Sequence, residues 1–309
     1  MGLLSWFKRH TPPADAPFIQ EPFIHIPARD TFAFFSKSPS TRYTIAWLDA
    51  SDSDGGGARS SGMGSYFLLD GPNIIAEGQL ERPHDGRVAD NGTFVLNDWL
   101  FSSGLNGVFH AFRADGSNIL SKRFEANLYN NGLSQDGSLA VCQTCNAPSA
   151  DSSILALFDL HSGREVAQWV PPSGWAKSYE FIDHGSRIRL CYGDGAGFSY
   201  ALNGDFTERQ KWIDHGLAKG DLRIIQEIVT SSDTVAAPDR VERLLASIDV
   251  ALATIKDEHS RALAFRYQGM CFEAKGDSHQ ALSSYEKALE LDPKVGVKRR
   301  ADNVRKQIK

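Results

Sequence analysis

The sequence predicts a β + α multidomain protein, in which about four antiparallel β repeats precede an all-α domain of helical hairpins. Two observations predict this class. Between residues 30 and 205, turn dipeptides recur about every 45 residues, each after a short apolar and aromatic run. Beyond residue 206, apolar residues recur at three and four residues, the period of an amphipathic helix. We therefore divide the chain into an N-terminal extension (1–29), a β domain (30–205) and a helical domain (206–309).

Length and composition fit a protein with two folded domains. The chain has 309 residues, 41% of them hydrophobic and 23% charged, which is enough for two separate cores. Four cysteines are too few for a disulfide framework, so we expect a reduced, cytoplasmic setting. No apolar run reaches the roughly 18 residues of a membrane-spanning helix, and the first residues lack the long apolar core of a secretory signal.

The N-terminal extension carries two features of its own. Leu3, Leu4, Trp6 and Phe7 form an apolar patch before two basic residues, so a membrane contact through the N-terminus stays open as a minor alternative. Residues 11–29 interleave five prolines with large apolar residues. For this stretch we expect an extended edge strand that packs against the last β repeat.

Two series of turns define the β repeats. The first series, spaced by 45, 47 and 41 residues, comprises Asp70-Gly71, Asp115-Gly116, Ser162-Gly163 and Asn203-Gly204. The second series contains Gly92, Gly137 and Gly185, and each of these glycines lies between an apolar strand end and a new strand. Turns of this composition allow positive φ and match the twist of the strands that they join. Each repeat is therefore predicted to hold about four short strands.

The β repeats resemble the blades of a WD-repeat-like β-propeller. Residues 131–170 carry the resemblance best, because a turn at 133–141 and a final strand with Phe158-Asp159 in place of Trp-Asp are similar to that family's pattern. The family's Gly-His element is missing, and the other repeats lack the aromatic-Asp pair. The resemblance implies a propeller-like domain of about four blades. A closed ring, a partial ring, a ring completed by a second copy and another kind of stacked sheet remain open.

Residues 261–293 resemble a tetratricopeptide repeat, which is a pair of antiparallel helices. The family's large, glycine, aromatic, alanine and proline positions are filled by Phe265, Gly269, Phe272, Ala281, Tyr285, Ala288 and Pro293. The resemblance implies a binding scaffold and not a catalyst. It also implies four partner-binding residues on the first helix of the pair, namely Leu263, Arg266, Met270 and Glu273.

A repeated tetrapeptide predicts a second helix pair. The sequence Ala-Lys-Gly-Asp occurs at 218–221 and again at 274–277, in the turn of the tetratricopeptide-like repeat. We therefore expect two helices to meet near residue 220, with Asp221 capping the second of them. Together with the apolar periodicity between Val241 and Ile255, this predicts five or six helices.

Few patterns point to catalysis or to a metal. Serine-hydrolase elbows, phosphate-binding glycine loops and His-Glu-x-x-His are absent from the sequence. Cys142 and Cys145 have the spacing of a zinc or redox pair, but no second pair completes the ligand set. The glycine-rich segment 193–197 leads into a strand-like run, whereas a dinucleotide site needs a helix there. We predict no catalytic residue, no metal and no cofactor.

Charge is distributed unevenly along the chain. The net charge is −5, yet residues 294–309 hold seven Lys or Arg against one Asp. Such a tail fits an acidic partner or lipid headgroups, and it equally fits the solvated face of a last helix. We expect no specific nucleic-acid partner.

The sequence thus favours a non-enzymatic scaffold or adaptor that binds a protein or peptide partner through its β-repeat and helical-repeat domains. The alternative is an enzyme or small-ligand-binding protein with its site at the centre of the β domain. One structural feature separates the two hypotheses: the centre of the β domain holds either converging polar side chains or an apolar plug.

Overall fold

The computed structural model describes residues 18–20, 23–49, 62–101, 104–231 and 238–308. In these residues, seventeen β-strands precede six α-helices, and the chain divides into two compact units, Met1–Thr207 and Glu208–Lys309. None of the described helices combines the length and the apolar character that a membrane crossing needs. The apolar patch of Leu3, Leu4, Trp6 and Phe7 lies outside the described residues.

The first unit contains four antiparallel sheets that follow one another along the chain. The first sheet comprises β1 (Phe18–Gln20), β2 (Phe23–Ile26), β3 (Thr31–Lys37), β4 (Tyr43–Leu48), β5 (Gly64–Asp70) and β6 (Asn73–Leu80). The second comprises β7 (Pro83–Val88), β8 (Phe94–Asp98), β9 (Gly107–Phe112) and β10 (Asn118–Phe124). The third comprises β11 (Leu128–Leu133), β12 (Leu139–Thr144), β13 (Leu155–Asp159) and β14 (Arg164–Trp169). The fourth comprises β15 (Ser178–Ile182), β16 (Arg187–Cys191) and β17 (Gly197–Ala201).

Strand order equals chain order in every sheet. Consecutive strands therefore pair as meanders, which is how the blades of a propeller are built. The turns of the first predicted series join β5 to β6, β9 to β10 and β13 to β14, and the fourth follows β17, where Tyr200 bridges Phe206. The second series joins the first two strands of the last three sheets. Gly137 in this series has φ +74°, a backbone conformation that favours glycine.

The N-terminal extension was expected to pack as an edge strand against the last β repeat, and this expectation was wrong. β1 and β2 extend the first sheet and do not pair with the last one: Phe23 lies opposite Phe34, and Ile24 lies opposite Ala33. The physical reason is the short connection between β2 and β3, where Pro27–Arg29 forms a 3-10 turn and Asp30 adopts φ +44°. A hairpin this local forms more readily than a pairing with a strand far along the chain.

The middle strands of the second and third sheets are buried on both faces because each of these two sheets packs between its two neighbours along the chain. On β8, Phe94 and Leu96 pack against the first sheet, whereas Val95 packs against the third. On β13, Phe158 packs against the second sheet and Leu157 against the fourth. The alternation of side chains along a strand thus divides one apolar run between two cores. Each fully buried Leu or Phe stabilises the unit by roughly 1.5–3 kcal/mol.

The second unit is helical, and the loops between the helices of its C-terminal half are short. Its helices are α1 (Arg209–Lys219), α2 (Leu222–Thr230), α3 (Pro238–Thr254), α4 (Glu258–Ala274), α5 (Ser278–Leu291) and α6 (Lys298–Ile308). Asp221 caps α2 as predicted, since its carboxylate accepts the N–H of Arg223 at 2.9 Å. Asp277 caps α5 in the same way through the N–H of Gln280 at 3.0 Å.

Helices α4 and α5 form a closely packed pair. At Gly269, a Cβ atom would overlap the ring of Tyr285, so the absence of a side chain sets the distance between the two helices. Their shared core also contains buried alanines, of which Ala281 and Ala288 are fully buried, and α6 adds Val304. This is the hairpin expected for residues 261–293. Membership in the tetratricopeptide family stays a prediction.

Candidate functional site

The four residues predicted to bind a partner share one side of α4, as their spacing of three and four residues requires. Arg266 donates from Nη1 to the carbonyl of Val295 at 3.0 Å. Glu273 accepts a hydrogen bond from Arg300 Nη1 at 2.8 Å and a second one from the hydroxyl of Tyr285. The other two, Leu263 and Met270, are partly buried against the core that α4 shares with α5 and α6.

These contacts bring the four residues together and also engage them within the helical unit. The charged atoms of Arg266 and Glu273 bond to Val295 and Arg300, which lie on the C-terminal segment of the same unit. A ligand that used either side chain would have to replace those bonds. That a partner binds to Leu263, Arg266, Met270 and Glu273 therefore stays a prediction. Such binding would break the hydrogen bonds of Arg266 with Val295 and of Glu273 with Arg300.

The alternative site was the centre of the β domain, and the structure shows polar side chains between the first strands of neighbouring sheets. The first strands of the second, third and fourth sheets, β7, β11 and β15, lie beside one another. Between β7 and β11, Asp85 Oδ2 accepts the N–H of Asn131 at 3.1 Å, and the Asn131 side-chain amide donates to the Asp85 carbonyl at 3.0 Å. The second strands of the second and third sheets each add a fully buried polar residue, Asn97 from β8 and Gln143 from β12.

A second polar cluster lies between the third and fourth sheets. The Tyr179 hydroxyl is 2.7 Å from Asn130 Oδ1 and 2.9 Å from Gln143 Oε1, so it can donate to either oxygen. Gln143 Oε1 also accepts the N–H of Ala176 at 2.9 Å. Burial raises the pKa of Tyr179 well above its ordinary value, so its hydroxyl keeps the proton that the cluster needs.

Three amide atoms in these clusters have no hydrogen-bond partner among the described residues. They are Asn97 Nδ2, Asn131 Oδ1 and Gln143 Nε2, all fully enclosed. An unsatisfied buried polar group costs about 1–3 kcal/mol, so a further hydrogen-bond partner at any of these atoms would stabilise the fold. The sequence held one signal for these buried polar residues: a polar residue within or at the end of an apolar run, such as Asn97 after Phe94-Val95-Leu96. Their convergence could not be deduced, because it depends on how the sheets stack.

The two cysteines of the Cys-x-x-Cys pair lie on and just after β12. Cys142 is fully buried, and its thiol lies 3.8 Å from Asn97 Oδ1. Burial raises the pKa of Cys142 and also that of Cys145. A nucleophilic or metal-binding thiol needs a lowered pKa. In the part of the chain that the structure describes, no three His, Cys, Asp or Glu side chains gather at one point.

The turns of the second series meet at a shallow depression of about 430 Å³. It is lined by Asp90, Ser134, Gln135, Asp136, Ser138, Phe181, His184 and Gly185. The two carboxylates are engaged in holding the turns: Asp90 accepts from Ser40 N at 2.7 Å and from Gln135 Nε2 at 2.8 Å, and Asp136 accepts from Ser134 and Ser138. These hydrogen bonds lower the pKa of both carboxyls. The polar residues of this depression therefore hold the turns next to one another, and we assign it no ligand.

An exposed set of rings lies on β2 and β3, and we call Phe23, His25, Phe32 and Phe34 the aromatic surface. The antiparallel register places Phe23 opposite Phe34 and His25 opposite Phe32. The ring centroids of these two pairs lie 4.8 and 4.6 Å apart. Half of Phe32 (50%) and nearly half of Phe34 (46%) remain exposed to solvent. Contiguous exposed apolar groups of this kind mark interaction sites more often than scattered single residues do.

Comparisons with known proteins identify no family. No family model matches the chain, and no curated protein matches it. Among solved structures, Kluyvelomyces marxianus Hsv2 matches with a TM-score of 0.39 and 11% identity, covering 61% of this chain and 57% of its own. The C-terminal WD40 domain of Sif2 matches with a TM-score of 0.32 and 14% identity, covering 61% and 46%. This chain thus spans about half the length of each neighbour, and the scores are too low to support an argument about function.

Proposed function

We propose that this chain is a non-enzymatic scaffold or adaptor that binds partner proteins through its β domain and its helical domain. The observation that carries the proposal is the aromatic surface. Phe32 and Phe34 place two half-exposed rings at neighbouring positions on one face of β3. Each ring contacts the ring opposite it on β2, which is His25 for Phe32 and Phe23 for Phe34. Aromatic side chains supply a large contact area with few rotatable bonds, and they are enriched where proteins meet.

The interaction is tested by removing the two most exposed rings from the full chain. The variant Phe32→Ser/Phe34→Ser should lose recovery of at least one protein that wild type captures from a lysate of the source cells, as measured by quantitative mass spectrometry. Val166→Ser/Val170→Ser is the matched control, because these valines are 49% and 56% exposed on or next to β14. Equal recovery of every captured protein by both variants would contradict a binding role for the aromatic surface.

A second site for a protein partner is the α4 face. We propose that Leu263, Arg266, Met270 and Glu273 bind a peptide once their contacts with the C-terminal segment are released. Arg266→Glu should weaken recovery of that partner, and circular dichroism must show unchanged helix content, because the arginine also bonds to Val295. Arg299→Glu supplies the same charge change at an exposed residue of α6. Loss of the partner in both variants alike would show a general charge effect.

One observation favours a different function, which is binding of a small polar molecule at the centre of the β domain. Polar side chains meet between the first strands of neighbouring sheets, and Asn97, Asn131 and Gln143 each keep an amide atom without a partner among the described residues. This function predicts that native mass spectrometry of the full chain finds a bound small molecule, and that adding it raises the melting temperature of wild type. Gln143→Leu should abolish the shift. A wild-type protein that carries no added mass and responds to no compound of a polar metabolite library would exclude this function.

A further inference from the structure

A groove of about 370 Å³ lies in the helical unit, enclosed by α1, α2 and α3. Its volume is in the range of about 300–1,000 Å³ that is common for ligand sites. The described residues that line it are Arg209, Gln210, Ile213, Leu217, Glu227, Ile228, Ser231, Arg240 and Arg243. We call it the arginine groove. It lies outside residues 261–293, and no sequence pattern singled it out.

Positive charge prevails in the arginine groove. Three arginines line it against one carboxylate, Glu227, which pairs with Arg209. Arg243 pairs with Asp214 at 2.7 Å. Arg240 makes no ion pair and no hydrogen bond with any residue that the structure describes, so its guanidinium is available to a ligand. The two existing pairs are each about half exposed, and exposed pairs of this kind are weak enough for an incoming carboxylate to exchange with them.

The position of these arginines is unfavourable for the helices that carry them. Arg209 is the first residue of α1 and Arg240 is the third residue of α3, so both lie in the first turn of a helix. The helix dipole places partial positive charge at an N-terminus and disfavours cations there. Helix stability therefore does not account for this arrangement. A bound anion would be attracted by the arginines and by the N-terminal turns of α1 and α3, whereas the C-terminal end of α2, which also lines the groove, opposes it.

The floor of the arginine groove is apolar, which narrows the class of ligand. Ile213, Leu217 and Ile228 form it. A free inorganic anion would leave this floor uncovered, and a phosphate backbone carries no apolar side chain that would cover it. A ligand that carries carboxylates and an apolar side chain in one short segment matches both parts.

We propose that the arginine groove binds a short acidic peptide segment of a partner protein, with a carboxylate on Arg240 and an apolar side chain on Ile213, Leu217 and Ile228. The inference rests on the proposed function, because the ligand is part of another protein. It concerns a surface that is separate from the aromatic surface, so each can fail while the other stands.

The test measures binding of a fluorescein-labelled synthetic peptide of alternating Glu and Leu to the full-length protein by fluorescence anisotropy. Two peptides of equal length serve as references, one with Gln in place of Glu and one with Ser in place of Leu. We expect the Glu/Leu peptide to bind most tightly and both references to bind more weakly. We expect Arg240→Glu to weaken its binding about tenfold or more, and Arg240→Gln to weaken it less. Ile213→Ser should weaken binding of the Glu/Leu peptide but not of the Glu/Ser peptide.

Arg299→Glu is the matched control for charge, since it makes the same change on an exposed residue of α6 that does not line the groove. It should leave the affinity within about twofold. Equal weakening by Arg240→Glu and Arg299→Glu would overturn the proposal, because it would show unspecific attraction of an acidic peptide. Absence of binding, or tighter binding of a DNA duplex or of anionic vesicles, would also overturn it. In each of these cases a partner that depends on Phe32 and Phe34 would still support the scaffold function.

Discussion

Single residues determine how closely the elements of this protein approach each other. Gly269 is the clearest case, because any side chain at this position meets the ring of Tyr285. The resemblance to a tetratricopeptide repeat placed Gly269 and Tyr285 in a pair of helices, and the structure shows that these two residues meet. By contrast, the sequence could not predict that Arg266 and Glu273 would bond to Val295 and Arg300, because residue spacing does not say what the next segment of chain covers.

Gly269→Leu should lower the free energy of unfolding of the full chain by about 2 kcal/mol or more, because an overpacked contact forces side chains away from their rotamers. Urea denaturation followed by circular dichroism measures this. Gly193→Leu is the matched control, since a Cβ at Gly193 meets no atom within 4 Å, and it should change stability by less than about 0.5 kcal/mol. Equal stability of wild type and Gly269→Leu would mean that α4 and α5 do not meet at this glycine.

Cys271 should make stability depend on pH in the alkaline range. Burial raises its pKa from 9.0 to about 12, so the folded protein keeps the thiol neutral while the unfolded chain ionises. The stabilisation is complete below pH 9 and is lost as the pH rises toward 12. Between pH 8 and about pH 10.5, wild type should lose about 2 kcal/mol more than Cys271→Ala. The same pH profile for the two proteins would show that the thiol is not buried in the folded state.

At the scale of elements, the sequence predicted the turns and the helix cap, but it predicted only some of the pairings between strands. The turn series at Gly116 and Gly137 follows from local backbone chemistry, so each turn lies where the sequence placed it. The capping role of Asp221 is local for the same reason. The placement of β1 and β2 on the first sheet was missed, because the identity of a strand's partner is a tertiary property that alternation of apolar residues does not encode.

The cap of α2 gives a test at this scale. Asp221→Ala should lower the free energy of unfolding by about 1 kcal/mol, because the N–H of Arg223 loses its acceptor in the first turn of the helix. Asp221→Asn should cost only a few tenths of that amount, since asparagine caps about as well. Chemical denaturation of the three proteins at neutral pH measures both values. A loss of the same size in the asparagine variant would show that the charge of Asp221, and not the cap, is what matters.

At the scale of the whole molecule, the chain combines a stacked β unit with a helical unit, and the two offer different chemistry to partners. The change of hydrophobic period near residue 206 predicted strands followed by helices, and the described elements follow that order. The aromatic surface and the arginine groove were not predictable, because the first arises from a pairing of β2 with β3 and the second from three helices whose lining residues are scattered between residues 209 and 243. Interaction surfaces of this kind are properties of assembled elements.

The central claim is that partner proteins bind directly to the aromatic surface. The measurement that tests it most directly is photo-crosslinking in the source cells, with a benzoylphenylalanine residue at position 34 of the full chain and, as the control, at position 166. Position 34 should yield a discrete crosslinked protein that is absent at position 166 and whose purified form binds wild type but not Phe32→Ser/Phe34→Ser. Identical crosslinked species at both positions, or none at position 34, would contradict the claim.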